Sequence, residues 1–225
     1  HTPFEKLYVP SAGHDAGTSI GSALYLYNHI LNKDRLPEIK TAYFGRKSSE
    51  EEIINCLNAE NIKFERLEDE YLFNKVSDML INGGVVGWFQ GRAEFGPRAL
   101  GHRSILVDPR RKDAKDLLNK KIKRRESFRP FAPSILEEYV EEYFVQNDNV
   151  PFMEKVFDIK KEKQSEIPAV THVDGTGRLQ SVNKDISPRF YRLISEFKSK
   201  SGVPILLNTS FNDNEPIVNK PKEAL

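Results

Sequence analysis

With 225 residues, 38% of them hydrophobic and 30% charged, the chain is long enough to bury a substantial core, as one domain or as one domain plus part of another. Its 14 Phe and 8 Tyr argue against disorder. The single cysteine, Cys56, excludes an internal disulfide and a cysteine-based metal cluster.

No apolar run approaches the length of a membrane span, and no signal peptide is recognisable. We therefore expect a cytoplasmic protein without a membrane partner. The chain begins with His-Thr-Pro rather than Met, and it stops shortly after Pro221 has opened an apparent helix. We interpret it as a fragment of a longer protein.

The N-terminal part is predicted to contain a strand, a loop and a helix. The strand is expected at 7–9, and the glycine-punctuated loop PSAGHDAG leads from it into a helix at about 18–31. Apolar residues recur at helical spacing on one side of this helix, so that side is expected to face inward. The polar segment that follows predicts a domain boundary between residues 1–40 and residues 41–225.

Helices and strands then alternate to the end of the chain. Capping signals and apolar periodicity predict helices that begin near Ser49, Glu70, Asp113, Pro133 and Pro188, the last closed by Gly202. Buried strands are predicted at 85–90, 103–109 and 203–208, and shorter ones at 167–182 around a turn at 174–177. This mixture indicates an α/β class, with α+β possible.

The most basic part of the chain is the segment 91–133, which carries thirteen Lys or Arg and five Asp or Glu, although the formal net charge of the whole chain is only +1. Arg98 follows a Gly-Pro pair and Arg129 precedes a proline. Guanidinium groups on a stiff backbone suit bidentate capture of phosphate oxygens. The segment therefore predicts a polyanion pocket, for a nucleotide or another phosphorylated small molecule.

Simpler interpretations apply to part of this charge. Lys120, Lys121 and Arg124 are typical of the C-terminal end of a helix, where cations are stabilised, although a basic face for nucleic acid stays possible. Arg98 and Arg129 lie in apolar, turn-rich sequence and are expected to be partly buried. Such arginines need a partner, either in a structural ion pair or in a bound anion, and we favour the anion.

Two polar loops are further candidates for a site. Asp15, flanked by glycine-containing sequence, can present a carboxylate to a metal, although a lone Asp is more often a turn or cap residue. Ser210 and Asn212 lie two residues apart at a strand end, where they can orient a nucleotide or form an ordinary turn. His102 and His172 lack ligand spacing and are expected to be structural.

Three long segments carry a resemblance to a known family. They are GWFQGRAEFGPRALGHRSILVDPR, KRRESFRPFAPSIL and PILLNTSFNDNEPIV. Together they resemble the O-carbamoyltransferases of the nodulation-protein and antibiotic-tailoring type, over nearly the whole chain. The resemblance implies that residues 41–225 form a YrdC-like twisted mixed sheet with flanking helices, truncated at its C-terminus. It also implies that residues 1–40 are the end of an actin-like transferase domain, a strand, a loop and a helix.

The resemblance implies a reaction in two steps. In the YrdC-like part, carbamoyl phosphate is cleaved and the carbamate attacks the α-phosphate of ATP, which gives carbamoyladenylate and pyrophosphate. The carbamoyl group then passes, beside a metal in the actin-like domain, to a hydroxyl group of a small molecule or sugar. The implied ligands are ATP with Mg²⁺, carbamoyl phosphate, the hydroxylated acceptor and, in the complete actin-like domain, a metal that is expected to be iron.

Several positions of this sequence match the motifs of the family. Arg98, Lys123 and Arg129 match its phosphate-binding basic positions, and Lys123 and Arg129 are implied to be catalytic. Ser210 and Asn212 match its nucleotide-binding polar pair. Fixed cations and bound Mg²⁺ suit this chemistry, because a carbamate that attacks a phosphoryl centre collects negative charge.

Asp15 matches the metal-binding aspartate of the family, but the paired histidine ligands belong upstream and are absent here. The missing N-terminal part of the same chain is implied to supply them, so the fragment alone is expected to hold the metal poorly and to be inactive in overall transfer. Two alternatives stay open, an RNA-binding YrdC-like module and a non-catalytic nucleotide-binding domain. The acids that directly follow the basic segment disfavour nucleic acid.

Overall fold

The computed structural model describes Pro3 and residues 7–225. In these residues the helices α1–α7 are Thr18–Tyr25, Glu50–Ala59, Asp69–Ile81, Ala114–Leu117, Val140–Tyr143, Lys161–Gln164 and Pro188–Ser201. The strands β1–β7 are Val86–Phe89, Arg103–Val107, Ala132–Leu136, Phe157–Asp158, Thr176–Gly177, Gln180–Val182 and Ile205–Ser210. Short 3-10 turns cover Asp15–Gly17, Glu137–Tyr139 and Pro221–Ala224, and π-helical turns cover Leu26–Ile30 and Leu118–Ile122.

Five of the strands form one mixed sheet in the order β1-β2-β7-β3-β6. All neighbours in it are antiparallel except β3 and β6, which are parallel. Strands β4 and β5 form a separate antiparallel pair. Strand β7 lies at the centre, so that its C-terminal residue Ser210 is opposite Ser104 at the start of β2. A mixed sheet with flanking helices confirms the predicted α/β class.

Helix α7 shows why the sequence folds in this way. Its apolar residues Phe190, Leu193, Ile194 and Phe197 recur at intervals of three and four, and all four are fully buried. Gly202 then adopts φ +79°, a left-handed conformation that suits glycine and ends the helix. The buried side of α7 packs against α3 and against β3 and β7.

The segment 42–46 runs beside the segment 92–95 and is joined to it by backbone hydrogen bonds of 2.6 to 2.9 Å. A second contact links residues still further apart in the chain. Gly96, at φ +139°, lies so close to the Ser11 carbonyl oxygen that a Cβ atom would approach it to 2.2 Å. The N-terminal loop therefore touches the segment that carries Arg98. The division between residues 1–40 and 41–225 stays a prediction.

The long elements follow the sequence closely. Helices α3 and α7 and strands β1, β2 and β7 lie where they were predicted, and Ser49 caps α2 by accepting a hydrogen bond from the Glu52 backbone N–H. The short strands β5 and β6 fall within the predicted region 167–182, but residues 167–171 contain no strand, and β5 pairs with β4.

Three local predictions were wrong. Residues 7–9 form no strand. Asp113 does not cap α4, because its carboxylate accepts hydrogen bonds from the Arg111 guanidinium instead. The helix predicted from Pro133 is the strand β3 followed by a short turn and α5. All five residues of β3 are buried between β7 and β6, so tertiary burial overrides the local signal of a proline at a helix start.

The helix predicted at 18–31 forms as α1 and a π-helical turn, but the side expected to face inward does not. Tyr27 is 37% exposed and Ile30 is 62% exposed. Neighbouring Tyr25, at 59%, is exposed as well. Within the described residues, no helix has both the length and the hydropathy that crossing a membrane requires.

Candidate functional site

Lys123 is the most enclosed of the predicted site residues. It follows the π-helical turn and is 3% exposed, and its ammonium group reaches the end of β7. Nζ lies 2.5 Å from Ser210 O, 3.2 Å from Ser210 Oγ, and 2.8 Å from both Asn212 O and Asn212 Oδ1. Four oxygens thus surround three ammonium protons, so this cation is fully hydrogen-bonded by the protein itself.

The surroundings of Lys123 weaken its hold on the proton. Burial, and after it the nearby Arg125 guanidinium, lowers the pKa of Lys123 to about 8, while Asp213 acts in the opposite direction. A lysine in this range is still mostly protonated at neutral pH. It therefore offers a positive charge that responds to a bound anion or to mildly alkaline pH.

Arg178 is a half-buried cation, and among the described residues no carboxylate contributes to its pKa. It lies between β5 and β6, and its buried Nε has no hydrogen-bond acceptor in that part of the chain. Burial, and after it the charges of Arg98 and Arg125, lowers the pKa of Arg178 to about 10. The charged groups that act on Arg178 are thus two more arginines. A half-buried guanidinium among like charges is costly unless an anion joins it.

Arg125 belongs to the same group. Its Nε donates to Asn119 Oδ1 at 2.7 Å, and its guanidinium lies 4.8 Å from the centre of the Phe131 ring. Burial lowers the pKa of Arg125, and Arg129 lowers it further, whereas Glu126 raises it. Arg125 thus interacts electrostatically with both Lys123 and Arg129.

The partial burial expected for Arg98 and Arg129 was wrong, since both residues are exposed. Arg129 pairs with Glu126 at 2.8 Å. Arg98 makes neither a hydrogen bond nor an ion pair within Pro3 and residues 7–225. Its loop passes over the surface, so the turn-rich sequence around it reflects backbone packing at Gly96 rather than burial of the side chain.

The structure brings most of the predicted site residues into one region. Lys123, Ser210 and Asn212 are in direct contact. The charge of Arg98 lowers the pKa of Arg178, and the charge of Arg129 lowers the pKa of Arg125. The sequence reasoning assigned no site role to Arg125 or Arg178. Arg125 stands two positions after Lys123 in a basic run, and that spacing was its one signal.

Three other basic residues of the segment lie at the surface. Lys120, Lys121 and Arg124 are exposed, in agreement with the simpler interpretation. Lys120 lies 3.6 Å from Asp116, and Arg124 lies 3.4 Å from Asp213. We therefore describe the site as the cation cluster, made of Arg98, Lys123, Arg125, Arg129 and Arg178.

Comparison with known proteins supplies a family for this geometry. Residues 77–225, which include every member of the cation cluster, match the family described as Carbamoyltransferase C-terminus. The chain belongs to this carbamoyltransferase family. The predicted resemblance to O-carbamoyltransferases is thereby confirmed.

Several curated relatives resemble almost the whole chain. Nodulation protein NolNO of Sinorhizobium fredii is 42% identical over 99% of this chain and 33% of its own length. The 3'-hydroxymethylcephem-O-carbamoyltransferase of Amycolatopsis lactamdurans is 32% identical over 99% of this chain and 41% of its own. Nodulation protein U of Rhizobium fredii is 31% identical over 93% and 34%. The chain thus spans about a third to two fifths of the length of these relatives.

The metal that the carbamoyltransferase resemblance implies does not fit the described residues by themselves. Asp15 is exposed in a 3-10 turn, beside a His14 ring that accepts a hydrogen bond from the Ala16 backbone. No group of three His, Cys, Asp or Glu residues that could hold a metal ion occurs in the part of the chain that the structure describes. Asp15 would therefore need ligands from other sequence before it could hold a metal.

His102 has a structural place, as expected. Its ring stacks on Tyr43 with the ring centres 3.6 Å apart and the planes 5° from parallel. Nδ1 lies 2.7 Å from Arg92 O, and Nε2 lies 3.3 Å from Ser187 Oγ. Burial lowers the pKa of His102 to about 4, so the ring is neutral at physiological pH and adds no charge to the site.

Proposed function

We propose that this chain is the nucleotide-binding and carbamoyl phosphate-binding part of an ATP-dependent O-carbamoyltransferase. Its YrdC-like part would form carbamoyladenylate, and the carbamoyl group would then pass to a hydroxyl group of a small molecule or sugar. ATP, with its Mg²⁺, and carbamoyl phosphate are the ligands that we assign to the cation cluster. A cytoplasmic location suits these substrates.

The observation that carries this proposal is the absence of a carboxylate beside Arg178 within Pro3 and residues 7–225. Arg98 and Arg125 act on Arg178 instead, and its buried Nε has no acceptor. Three guanidinium groups whose charges act on one another favour a ligand with several anionic oxygens. Both proposed substrates carry phosphate groups, and family membership favours the carbamoyl donor.

The proposed chemistry balances with water as the third reactant. Water cleaves carbamoyl phosphate to carbamate and inorganic phosphate. A carbamate oxygen then forms a bond to the α-phosphorus of ATP, and the bond from that phosphorus to the β-phosphate bridge breaks, so pyrophosphate leaves. The acceptor hydroxyl finally displaces AMP from the carbonyl carbon and loses its proton, which gives the carbamate ester.

The residues of this chain act on charge and position in that scheme. Arg98, Arg125 and Arg178 would hold phosphate oxygens before reaction. Lys123 and Arg129, in the catalytic positions, would neutralise the charge that develops on the α-phosphoryl group and on the leaving pyrophosphate. A phosphate oxygen could take the place of one of the four oxygens around Nζ, and Ser210 and Asn212 would then be free to bind the nucleotide.

The remaining parts of the reaction are assigned to sequence of the kind that the longer relatives contain. We propose that such sequence supplies the metal ligands that join Asp15, with iron as the expected metal. The exposed apolar side chains of α1 and its π-helical turn, among them Tyr25 and Ile30, are a surface that this N-terminal part of the chain would cover. The acceptor would be bound in that N-terminal part, beside the metal.

The test is isotope exchange between pyrophosphate and ATP in the full-length protein. We expect exchange that depends on carbamoyl phosphate and that is lost in Arg178→Ala and Lys123→Ala variants. Arg66→Ala is the matched control, because Arg66 is exposed and paired with Glu50 at 2.8 Å outside the cluster. Exchange that is absent from the wild-type protein, or that survives in Arg178→Ala, contradicts the proposed function.

A further inference from the structure

Arg98 owes its position to its backbone alone. Its side chain is exposed and makes no contact that fixes it within the described part of the chain. The loop 95–102 that carries it is the second part of the connection between β1 and β2 and leads directly into β2. Whatever holds this loop therefore decides where the guanidinium can meet a ligand.

Glu94 holds the loop from inside. One carboxylate oxygen, Oε1, accepts backbone hydrogen bonds from Leu100 at 2.6 Å, from His102 at 2.9 Å and from Arg103 at 3.3 Å. These bonds tie the residue before the loop to the residues at its far end, with Arg98 between them. Glu94 is half-buried, and burial raises the pKa of its carboxyl group.

Arg103 fixes the end of the loop to the sheet. Its guanidinium is fully buried and donates to the carbonyl oxygens of Gln90 at 2.6 Å and Gly91 at 3.2 Å. The same group lies 3.6 Å from the centre of the Phe89 ring. The start of β2, to which Glu94 ties the loop, is thus itself fixed by the hydrogen bonds of the Arg103 guanidinium.

Two glycines, one on each side of Arg98, pack closely against other parts of the chain. Gly96 lies against the Ser11 carbonyl oxygen, and Gly101, at φ +99°, lies against the Phe190 ring, where a Cβ atom would approach to 2.1 Å.

Tyr43 and Gln180 also donate to the Leu100 carbonyl oxygen, and Asn208 donates to that of Ala99. The hydrogen bonds of Glu94 differ from these because they join the residue before the loop to the residues at its far end. A cation held in place before the ligand arrives binds more tightly, because less freedom is lost on binding.

We propose that Glu94 is a positioning residue for Arg98: it accepts three backbone N–H groups and thereby holds the Arg98 guanidinium in the place where it meets phosphate. This inference rests on the proposed function, since it assumes that Arg98 binds an anion. It gives Glu94, a half-buried acid in the basic segment, a role in anion binding although the acid itself does not contact the ligand.

The experiment is a double-mutant cycle on the full-length protein, with pyrophosphate as the ligand and calorimetry as the measurement. Arg98→Ala is expected to weaken pyrophosphate binding about tenfold. Glu94→Asp, whose carboxylate is one methylene shorter, is expected to weaken it about fivefold when Arg98 is present and less than twofold in the Arg98→Ala background. Glu94→Gln is expected to keep most of the affinity, because its amide oxygen can accept the same N–H groups.

Glu154→Ala is the matched control. Glu154 is another carboxylate whose pKa is raised by burial, and it accepts a hydrogen bond of 2.9 Å from the Phe152 backbone N–H. It is not part of the cation cluster. The substitution should lower the melting temperature and leave pyrophosphate affinity unchanged. An effect of Glu94→Asp that is the same in both backgrounds overturns the positioning role while Arg98 stays a ligand. Unchanged affinity in Arg98→Ala overturns the anion role of Arg98 as well.

Discussion

Two cations of the candidate site, Lys123 and Arg178, differ in what surrounds them. Lys123 is surrounded by four protein oxygens from Ser210 and Asn212. The charges that act on Arg178 are those of Arg98 and Arg125, and its buried Nε has no hydrogen-bond partner among the described residues. A cation whose hydrogen bonds are all made inside the protein belongs to the structure as well as to the site. A cation without such bonds is explained by a ligand.

The sharpest way to break this comparison is to remove Lys123. Lys123→Met removes the ammonium donor to Asn212 O and one of the two donors to Ser210 O, so we expect a loss of about 2 to 3 kcal/mol in the free energy of unfolding. Urea denaturation at pH 7 measures it. If the variant is as stable as the wild type, the ammonium group contributes nothing net to the fold and the contrast with Arg178 fails.

The complementary change, Arg178→Met, should act on binding and spare stability. The substitution relieves repulsion among like charges, so the melting temperature without ligand should stay the same or rise. Pyrophosphate affinity should fall about 30-fold, since charge-assisted hydrogen bonds to phosphate are lost. Calorimetry and thermal unfolding of the same samples give both numbers. Destabilisation as large as that of Lys123→Met would refute the distinction between the two cations.

Acid should weaken the support of Arg98 while it leaves the Lys123 contacts intact. His102 has a folded-state pKa of about 4, below its ordinary value of 6.5. Between these two pH values the imidazole is protonated in the unfolded chain and neutral in the folded one. Stability is therefore lost as pH falls through 6.5 toward 4, by about 2 kcal/mol between pH 7 and pH 5. Urea denaturation at both pH values measures this loss. In a His102→Gln variant the part of the loss that is due to this group should disappear.

Alkaline pH should affect the two cations unequally, and this is the smallest expected effect. Lys123, with a pKa of about 8, loses its proton as pH rises above that value, whereas Arg178, with a pKa of about 10, keeps its own at pH 9. Pyrophosphate affinity should thus fall by up to about tenfold between pH 7 and pH 9, because the protonated lysine is the form that binds anions. Titrations of wild type and Lys123→Met at both pH values test this, and an equal fall in the variant would assign the effect to another group.

The sequence predicted those parts of the fold whose signals are local. The spacing of Phe190, Leu193, Ile194 and Phe197 defines one face of a helix wherever that helix lies. The strand β3 was missed because Pro133 and Ser134 also begin helices, and only the neighbouring strands β7 and β6 decide between the two. The exposure of α1 could not be predicted either, because periodicity gives the apolar side of a helix and not what covers it.

The candidate site was predictable to the extent that motifs carry it. Lys123, Ser210 and Asn212 were grouped by resemblance to a family, and the contact between residues that far apart in the chain needed the fold. Arg178 gave no signal in the sequence, because its unusual property is the set of charges around it. Arg98 and Arg125, which create that property, come from distant loops.

The contact between Gly96 and the Ser11 carbonyl oxygen has a consequence for protein engineering. Consider a chimera in which all residues before 41 are replaced in order to change the proposed acceptor specificity. It would also lose the Ser11 backbone against which the Arg98 loop packs. A fusion point placed a few residues later would disrupt the backbone hydrogen bonds between residues 42–46 and residues 92–95. A graft that retains residues 10–47 from the recipient is the one expected to preserve pyrophosphate binding while a new N-terminal part is attached.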